Sequence, residues 1–269
     1  MTLYEKLRIM LSGRFTLFKI VYLYIRFLLY TPDKQIGKLK NCCEGKRCFI
    51  VGLGPSLQVN DLETLYEKGE ICFSVNRIYH IFEKTNWRPN FFLVSDKRGD
   101  DDEMVAAMKE MEGEGVVTIC SRELKLSPLV HPVRYRSRNY LTPLINSKLD
   151  FFRKMAKPCR YSINPEKFIY DGSSCIHSVI QFAGYMGFSE VYLIGCDCDS
   201  FQGKDYNEFI RIKTDGMKYK EEGVVVIDDY QSIKDDMEYK EIAMSIFNST
   251  RGGKLEVFPR RNFDDVINH

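Results

Sequence analysis

The stretch Arg47–Leu57, RCFIVGLGPSL, decides the fold. Its apolar run, Cys48 to Val51, is too short for a buried helix and suits a strand covered on both faces. Gly52-Leu53-Gly54-Pro55-Ser56 then turns the chain into SLQVNDLETLYEKG, whose apolar residues follow helical spacing and which stops at Gly69. Strand, glycine turn and helix form the first unit, and the pattern repeats outward from it. ICFSVN, FFLVSD, GVVTICS and SEVYLIGCD read as further strands. DDEMVAAMKEM and SSCIHSVIQFAGYMGF read as helices, the former with acidic residues favourably placed at its N-terminal end. KDDMEYKEIAMSIFNST is expected as a helix and GKLEVF as a final strand. Strands alternating with helices predict a Rossmann-like α/β domain with a mostly parallel sheet and helices on both faces.

The segment of about 121–170 breaks this rhythm. It is rich in proline and basic residues, lacks clear periodicity, and reads as an irregular insertion serving as a lid or partner surface. The polar region from Ser200 to Tyr219 is loop-like. There is no internal repeat. The expected organisation is therefore an N-terminal helix and connector over 1–45 and one domain over 46–269.

The chain of 269 residues is long enough to bury a large core without disulfides or structural metal. Hydrophobic residues make up 44% and charged residues 28%, which excludes wholesale disorder. A formal charge of +2 argues against nucleic acid as a partner, since such binders carry a marked basic excess. The nine cysteines include no C-x-x-C pair, and an odd count suits reduced thiols in a cytosolic protein.

The average charge conceals one end of the chain. Phe15–Tyr30, FTLFKIVYLYIRFLLY, is apolar and aromatic, and is interrupted by Lys19 and Arg26, seven apart and hence on one helical face. It is short and charged for a spanning helix and has no small-residue cleavage site. An amphipathic helix lying on the inner membrane surface is the preferred reading, which makes the protein cytoplasmic and peripherally membrane-associated. A helix packed on the domain or on a partner, or a true membrane anchor, are the alternatives. Thr31-Pro32-Asp33 ends the segment.

In an open parallel sheet, ligands collect beyond the carboxyl ends of the strands, and several polar clusters fall there. Gly52, Gly54, Pro55 and Ser56 follow the first strand; the glycines let amides approach a phosphate or ribose, and Ser56 is placed to cap the next helix. The turn is neither G-x-G-x-x-G nor a Walker loop, so a nucleotide-binding turn and a plain tight turn both fit. Asn76-Arg77 and Asp96-Lys97-Arg98 end the next two strands. Asp171-Gly172-Ser173-Ser174 opens the helix containing His177, where a serine either caps the helix or faces an anion; His177 itself reads as an ordinary helix histidine. Asp197-Cys198-Asp199 ends the strand VYLIG, and an Asp-x-Asp is a possible Mg²⁺ or Mn²⁺ site, although a requirement for metal is not the favoured reading.

Taken together, GLGPSL, SVNRIY, the aspartate of LVSD and DGSS…QFAGYMGFSEVYLIGCD resemble, in order, the 6-hydroxymethylpterin diphosphokinase MptE-like domain. That domain also occurs in motility accessory factor glycosyltransferases and in surface-polysaccharide gene products, whose members are likewise resembled by NSTRGGKLEVFPR. The layout is similar to bacterial CMP-sialic-acid-dependent sialyltransferases, whose strand-end turn reads G-N-G-P-S-L. The similarity spans about Arg47 to Asp199. It implies Gly54 and Ser56 at the nucleotide, Asn76 and Asp96 near ribose or donor sugar, Ser173 or Ser174 at phosphate, and Tyr206 assisting the departing phosphate. Two departures stand out: Leu53 replaces the asparagine of the turn, and no histidine lies between His177 and His269. Where the sialyltransferases carry a catalytic histidine, this chain has IDDYQSIKDD, so Asp228 or Asp229 is the expected base.

The expected function is a glycosyltransferase of surface-glycan synthesis that moves a sugar, sialic acid or a related acidic sugar among the candidates, from a CMP-linked donor by inverting displacement. Arg251 or the basic insertion would neutralise phosphate charge, the acceptor would be a glycan or a lipid-linked saccharide, and the basic stretch around Arg134, Arg136 and Arg138 would alternatively face a diphosphate-lipid acceptor. A pterin-type diphosphokinase using ATP, with Mg²⁺ on Asp197 and Asp199, and a non-catalytic assembly partner are the alternatives.

Overall fold

The computed structural model describes residues 31–95, 102–137, 160–198 and 222–268. The N-terminal amphipathic segment, Asp96, Asp199 and Tyr206 lie outside them. Seven parallel strands form one sheet in the order β5-β4-β3-β2-β1-β6-β7. They are β1 (Arg47–Val51), β2 (Cys72–Val75), β3 (Phe91–Val94), β4 (Val117–Ser121), β5 (Val133–Tyr135), β6 (Glu190–Ile194) and β7 (Ser245–Asn248). The helices are α1 (Lys34–Gly37), α2 (Val59–Glu67), α3 (Asp102–Gly113), α4 (Cys175–Tyr185), α5 (Glu222–Tyr239) and α6 (Phe263–Ile267), with a 3₁₀ segment over Asn76–Lys84. This is a Rossmann-like α/β fold.

Alternation along the strands builds two cores. Cys48 and Ile50 of β1, Phe91 and Leu93 of β3, and Val191 and Leu193 of β6 face one side, against Val179, Phe182, Tyr230 and Ile233 of α4 and α5. Phe49, Val51, Phe92, Val94, Tyr192 and Ile194 face the other, against Leu62 and Leu65 of α2, the methionines of α3, and Phe263 of α6. Strands added outward from β1 in opposite directions by right-handed crossovers put their helices on opposite faces. The order therefore reverses between β1 and β6, the switch point outside whose carboxyl ends such folds bind ligands.

The structure corrects several sequence expectations. Val133–Tyr135, inside the supposed irregular segment, adds as an edge strand to β4; three residues are too few to show a period. The last helix is not Lys234–Thr250: α5 ends at Tyr239, Glu241 takes a positive φ of 53°, and Ser245–Asn248 pairs with β6 as the final strand. Gly253–Phe258, expected as a strand, is irregular. There Arg260 Nη1 donates to the carbonyls of Thr250 and Gly252 at 3.1 and 2.8 Å, and Asn248 Nδ2 donates to that of Leu255 at 2.5 Å, so side chains satisfy a backbone that no ladder reaches. Residues 33–45, expected as a connector, pack on the domain: Ile36 and Cys43 are buried, and the amides of Asn41 and Cys43 donate to the carbonyls of Tyr185 and Met186. Among the described residues no helix is long and apolar enough to cross a membrane, and the cysteines are free thiols.

Candidate functional site

The site is built where β1 and β6 part. The amides of Gly52 and Gly54 donate at 2.8 Å to the carbonyls of Ile194 and Gly195, so the glycine turn continues the β1–β6 pairing past the last strand residue. A Cβ on Gly54 would lie 2.6 Å from the Gly195 carbonyl oxygen and would overlap Asp197 Oδ2. That close approach is why glycine stands there. Ser56 Oγ donates to Asp197 Oδ2 at 2.8 Å. Ser56 is therefore not the helix cap expected of it: α2 begins at Val59 after Gln58, which makes no side-chain cap, and the serine ties the two strand ends together instead. Gly52 is buried, Gly54 and Ser56 are half-buried, and Pro55 is exposed at the tip.

A third segment closes on Asp197. Lys254 N donates to the Asp197 carbonyl at 2.7 Å, and a Cβ on Gly253 would meet the Asp197 backbone at 2.6 Å. The Cys196 amide donates to Thr250 Oγ1 at 3.1 Å. Sequence reading missed this contribution of Thr250, Gly253 and Lys254; the Gly-Gly pair signalled a turn but not its partner. Asp197 itself is 8% exposed. Its neighbour Cys198 has a φ of 51°, a conformation uncommon outside glycine.

Asn76, at the end of β2, has a φ of 48° and bridges two other elements. Its Nδ2 donates to Cys175 Sγ at 3.3 Å, and its Oδ1 accepts from the Ser95 amide at 3.4 Å. It thus links the end of β3 to the start of α4.

Ser174 caps α4, its hydroxyl accepting from the Ile176 amide at 3.3 Å, while the Ser174 amide donates to His177 Nδ1 at 3.2 Å. His177 is thereby a fully buried capping residue, packed edge to face on Tyr230 at 4.3 Å. Because Nδ1 accepts, the proton sits on Nε2, which has no hydrogen-bond partner among the described residues. Burial pushes the imidazole down to about 4, opposed in part by the nearby Asp229 carboxylate and the Ser174 hydrogen bond. Gly172 packs so closely on this ring that a Cβ would overlap Nδ1.

Asp229 of α5 reaches the same loop. Its Oδ2 accepts from Ser173 N at 2.7 Å and from Ser173 Oγ at 2.5 Å. A carboxylate therefore already lies at the N-terminal end of α4, as the helix dipole favours. Asp229 is buried and Asp228 is exposed.

Arg251, expected at a phosphate, is engaged by two carboxylates. Its guanidinium donates to Asp61 at 2.9 Å and to Asp264 at 2.8 Å, tying α2 to α6. Among the described residues no three histidine, cysteine or acidic side chains converge to hold a metal ion. Asp197, the described half of the Asp-x-Asp pair, is hydrogen-bonded to Ser56.

A switch point where a glycine turn packs on a buried carboxylate, with Asn76 tying the neighbouring strand ends to the capped helix α4, defines the class: a Rossmann-like protein with its polar cluster where such folds bind ligands. The chain belongs to the family described as 6-hydroxymethylpterin diphosphokinase MptE-like, whose model matches residues 25–203. No curated protein sequence matches it. Among solved structures it is similar to a Maf glycosyltransferase from Magnetospirillum magneticum AMB-1, with a TM-score of 0.52 and 16% identity over 87% of this chain. The match spans 36% of that protein's length, so the likeness is one of fold. A mammalian sialyltransferase in complex with Gal-beta-1-3GalNAc-ortho-nitrophenol aligns with a TM-score of 0.37 and 11% identity, covering 87% of this chain and 86% of that one.

Proposed function

We propose that the chain is a glycosyltransferase of surface-polysaccharide or glycoconjugate synthesis that binds a nucleotide-activated sugar, CMP-linked, at the switch point between β1 and β6. The observation that carries this reading is the junction of Gly54, Ser56 and Asp197 between β1 and β6. It sets a buried carboxylate at the switch point, suited to accept from a ribose hydroxyl, while the donors for phosphate are those of the α4 end at Ser173. Sugar transfer is drawn from the Maf glycosyltransferase that shares the fold. Sialic acid or a related acidic sugar is drawn from the resemblance of GLGPSL to the sialyltransferase turn, while the acceptor is a glycan or a lipid-linked saccharide presented at the membrane by way of residues 1–30.

In this reading the donor phosphate takes over the Ser173 amide and hydroxyl. That displaces the Asp229 carboxylate from Ser173 and turns it into the base. The acceptor oxygen attacks the anomeric carbon as the bond to phosphate oxygen breaks. The electron pair leaves with the nucleotide, and the acceptor proton passes to Asp229, with exposed Asp228 as the neighbouring alternative. Tyr206 assists the departing phosphate, Asp96 and Asn76 serve the ribose or donor sugar, and Arg251 acts by holding α2 and the 250–254 loop in place. No metal is assigned to the reaction.

Thermal-shift measurements with CMP, CDP, UDP, GDP and ATP, each with and without Mg²⁺, test the proposal. A ligand at a hundred times its Kd stabilises by about 2.7 kcal/mol. Stabilisation by CMP without metal is expected. Stabilisation by ATP only with Mg²⁺ would replace the proposal with the diphosphokinase activity of the family's name. No response to any nucleotide would leave a non-catalytic assembly role.

A further inference from the structure

The edge of the sheet farthest from β7 carries a surface that the switch-point site does not use. Beside β5 a groove of about 720 Å³ is lined by Gln35, Arg122, Ser127, His131 and Arg134. The loop that rims it, 122–132, carries an apolar tip where Pro128 and Leu129 are exposed side by side, Leu129 at 61%. Lys125, His131 and Arg122 are exposed around it. Arg134 Nη2 donates to the carbonyls of Leu124 and Arg122, so its charge meets main-chain oxygens rather than a carboxylate. The acidic groups on this edge are already engaged or few. Asp33 pairs with Arg122, Glu112 accepts from the His131 amide, and Glu123 is exposed.

The same edge receives the start of the described chain. Arg136 Nη1 donates to the Thr31 carbonyl at 2.9 Å. Thr31, which in the sequence follows the apolar and aromatic stretch Phe15–Tyr30 with its Lys19 and Arg26, therefore lies beside β5. An apolar tip set among cations, on the edge where Thr31 lies, matches what an anionic bilayer surface selects: shallow apolar burial and attraction to lipid phosphates.

We propose that the β5 edge rests on an anionic membrane surface, with Leu129 entering the headgroup layer and Lys125, His131 and Arg134 facing lipid phosphates. The contact is independent of the sugar-transfer reading. It sets β1 back from the membrane-facing strand β5 by four strand spacings, roughly 19 Å.

Co-sedimentation of the full chain with vesicles of phosphatidylglycerol and phosphatidylethanolamine, against phosphatidylcholine alone, tests it. The double variant Lys125→Glu/Leu129→Asp is expected to lose at least about fivefold in affinity for the anionic vesicles. Tyr66→Asp, which alters an exposed aromatic residue on α2 over the centre of the sheet, is expected to bind like the parent. Melting curves establish that each variant is folded, and Lys125→Glu alone replaces the double variant if that one unfolds. Parent-like binding by the edge variant, or an equal loss in Tyr66→Asp, overturns the proposal and gives this surface to a protein partner instead.

Discussion

Asp229 accepts two hydrogen bonds at one oxygen from Ser173, from its amide at 2.7 Å and its hydroxyl at 2.5 Å. Two elements far apart in sequence are joined by this contact: α5 and the loop that opens α4. It puts a protein carboxylate where a phosphate would otherwise find the donors of a helix end.

Exchange of that carboxylate for substrate phosphate makes Asp229 the residue on which turnover depends. Asp229→Asn is expected to lower kcat by about 10²-fold or more, the usual contribution of a general base. Asp228→Asn, at an exposed position, is expected to retain most activity. Steady-state assays with a CMP-sugar donor decide the matter, and unchanged turnover in both variants removes the base from this helix.

The close approach of Gly54 to Asp197 predicts a large response to a single methyl group. Gly54→Ala places a Cβ on Asp197 Oδ2 and forces the turn or the carboxylate aside, at about 1–3 kcal/mol. Ser56→Ala removes a hydroxyl donor from the same carboxylate and costs about 1.5–3 kcal/mol. Urea unfolding measures both effects. Loss of nucleotide-induced stabilisation in Ser56→Ala, in a protein still folded, would tie the pair to ligand binding.

His177 makes stability depend on pH in a stated direction. Its imidazole is ordinarily half-protonated near 6.5 and is pushed by burial to about 4, so the unfolded chain binds the proton more tightly than the folded one. Its stabilising contribution is full above pH 6.5 and is lost as the pH falls from 6.5 toward 4, by roughly 3 kcal/mol in all. His177→Gln is expected to flatten the stability curve in that window. An unchanged slope would mean that other groups produce it.

Arg251 is expected to act on stability rather than on substrate charge. Asp61 is buried and loses its cation in Arg251→Met, which should destabilise the protein by about 1–3 kcal/mol once solvent exposure of the arginine is discounted. Nucleotide affinity, measured where the variant is folded, should change little. A selective loss of affinity without loss of stability would return Arg251 to the phosphate.

Local pattern determined much of this protein. The apolar runs of β1, β2, β3, β4 and β6 and the helical periods of α2, α3 and α4 are legible because each buries a face whose spacing follows from backbone geometry. The strand-end clusters around Gly54, Asn76, Ser173 and Asp197 are legible for the same reason, since strand ends are where such folds leave polar groups. Tertiary structure decided the rest. Val133–Tyr135 and Ser245–Asn248 become strands only because a neighbouring edge supplies their hydrogen bonds, whereas Gly253–Phe258 lies where side chains of Arg260 and Asn248 satisfy the backbone instead. Which polar groups meet was equally a matter of packing. Ser56 leaves the helix cap for Asp197, Arg251 turns to Asp61 and Asp264, and Asp229 comes to Ser173 across 56 residues. Periodicity reports which face of an element is apolar. The choice of polar partner depends on where the folded chain brings a donor and a buried acceptor within hydrogen-bonding distance, and no local spacing encodes that.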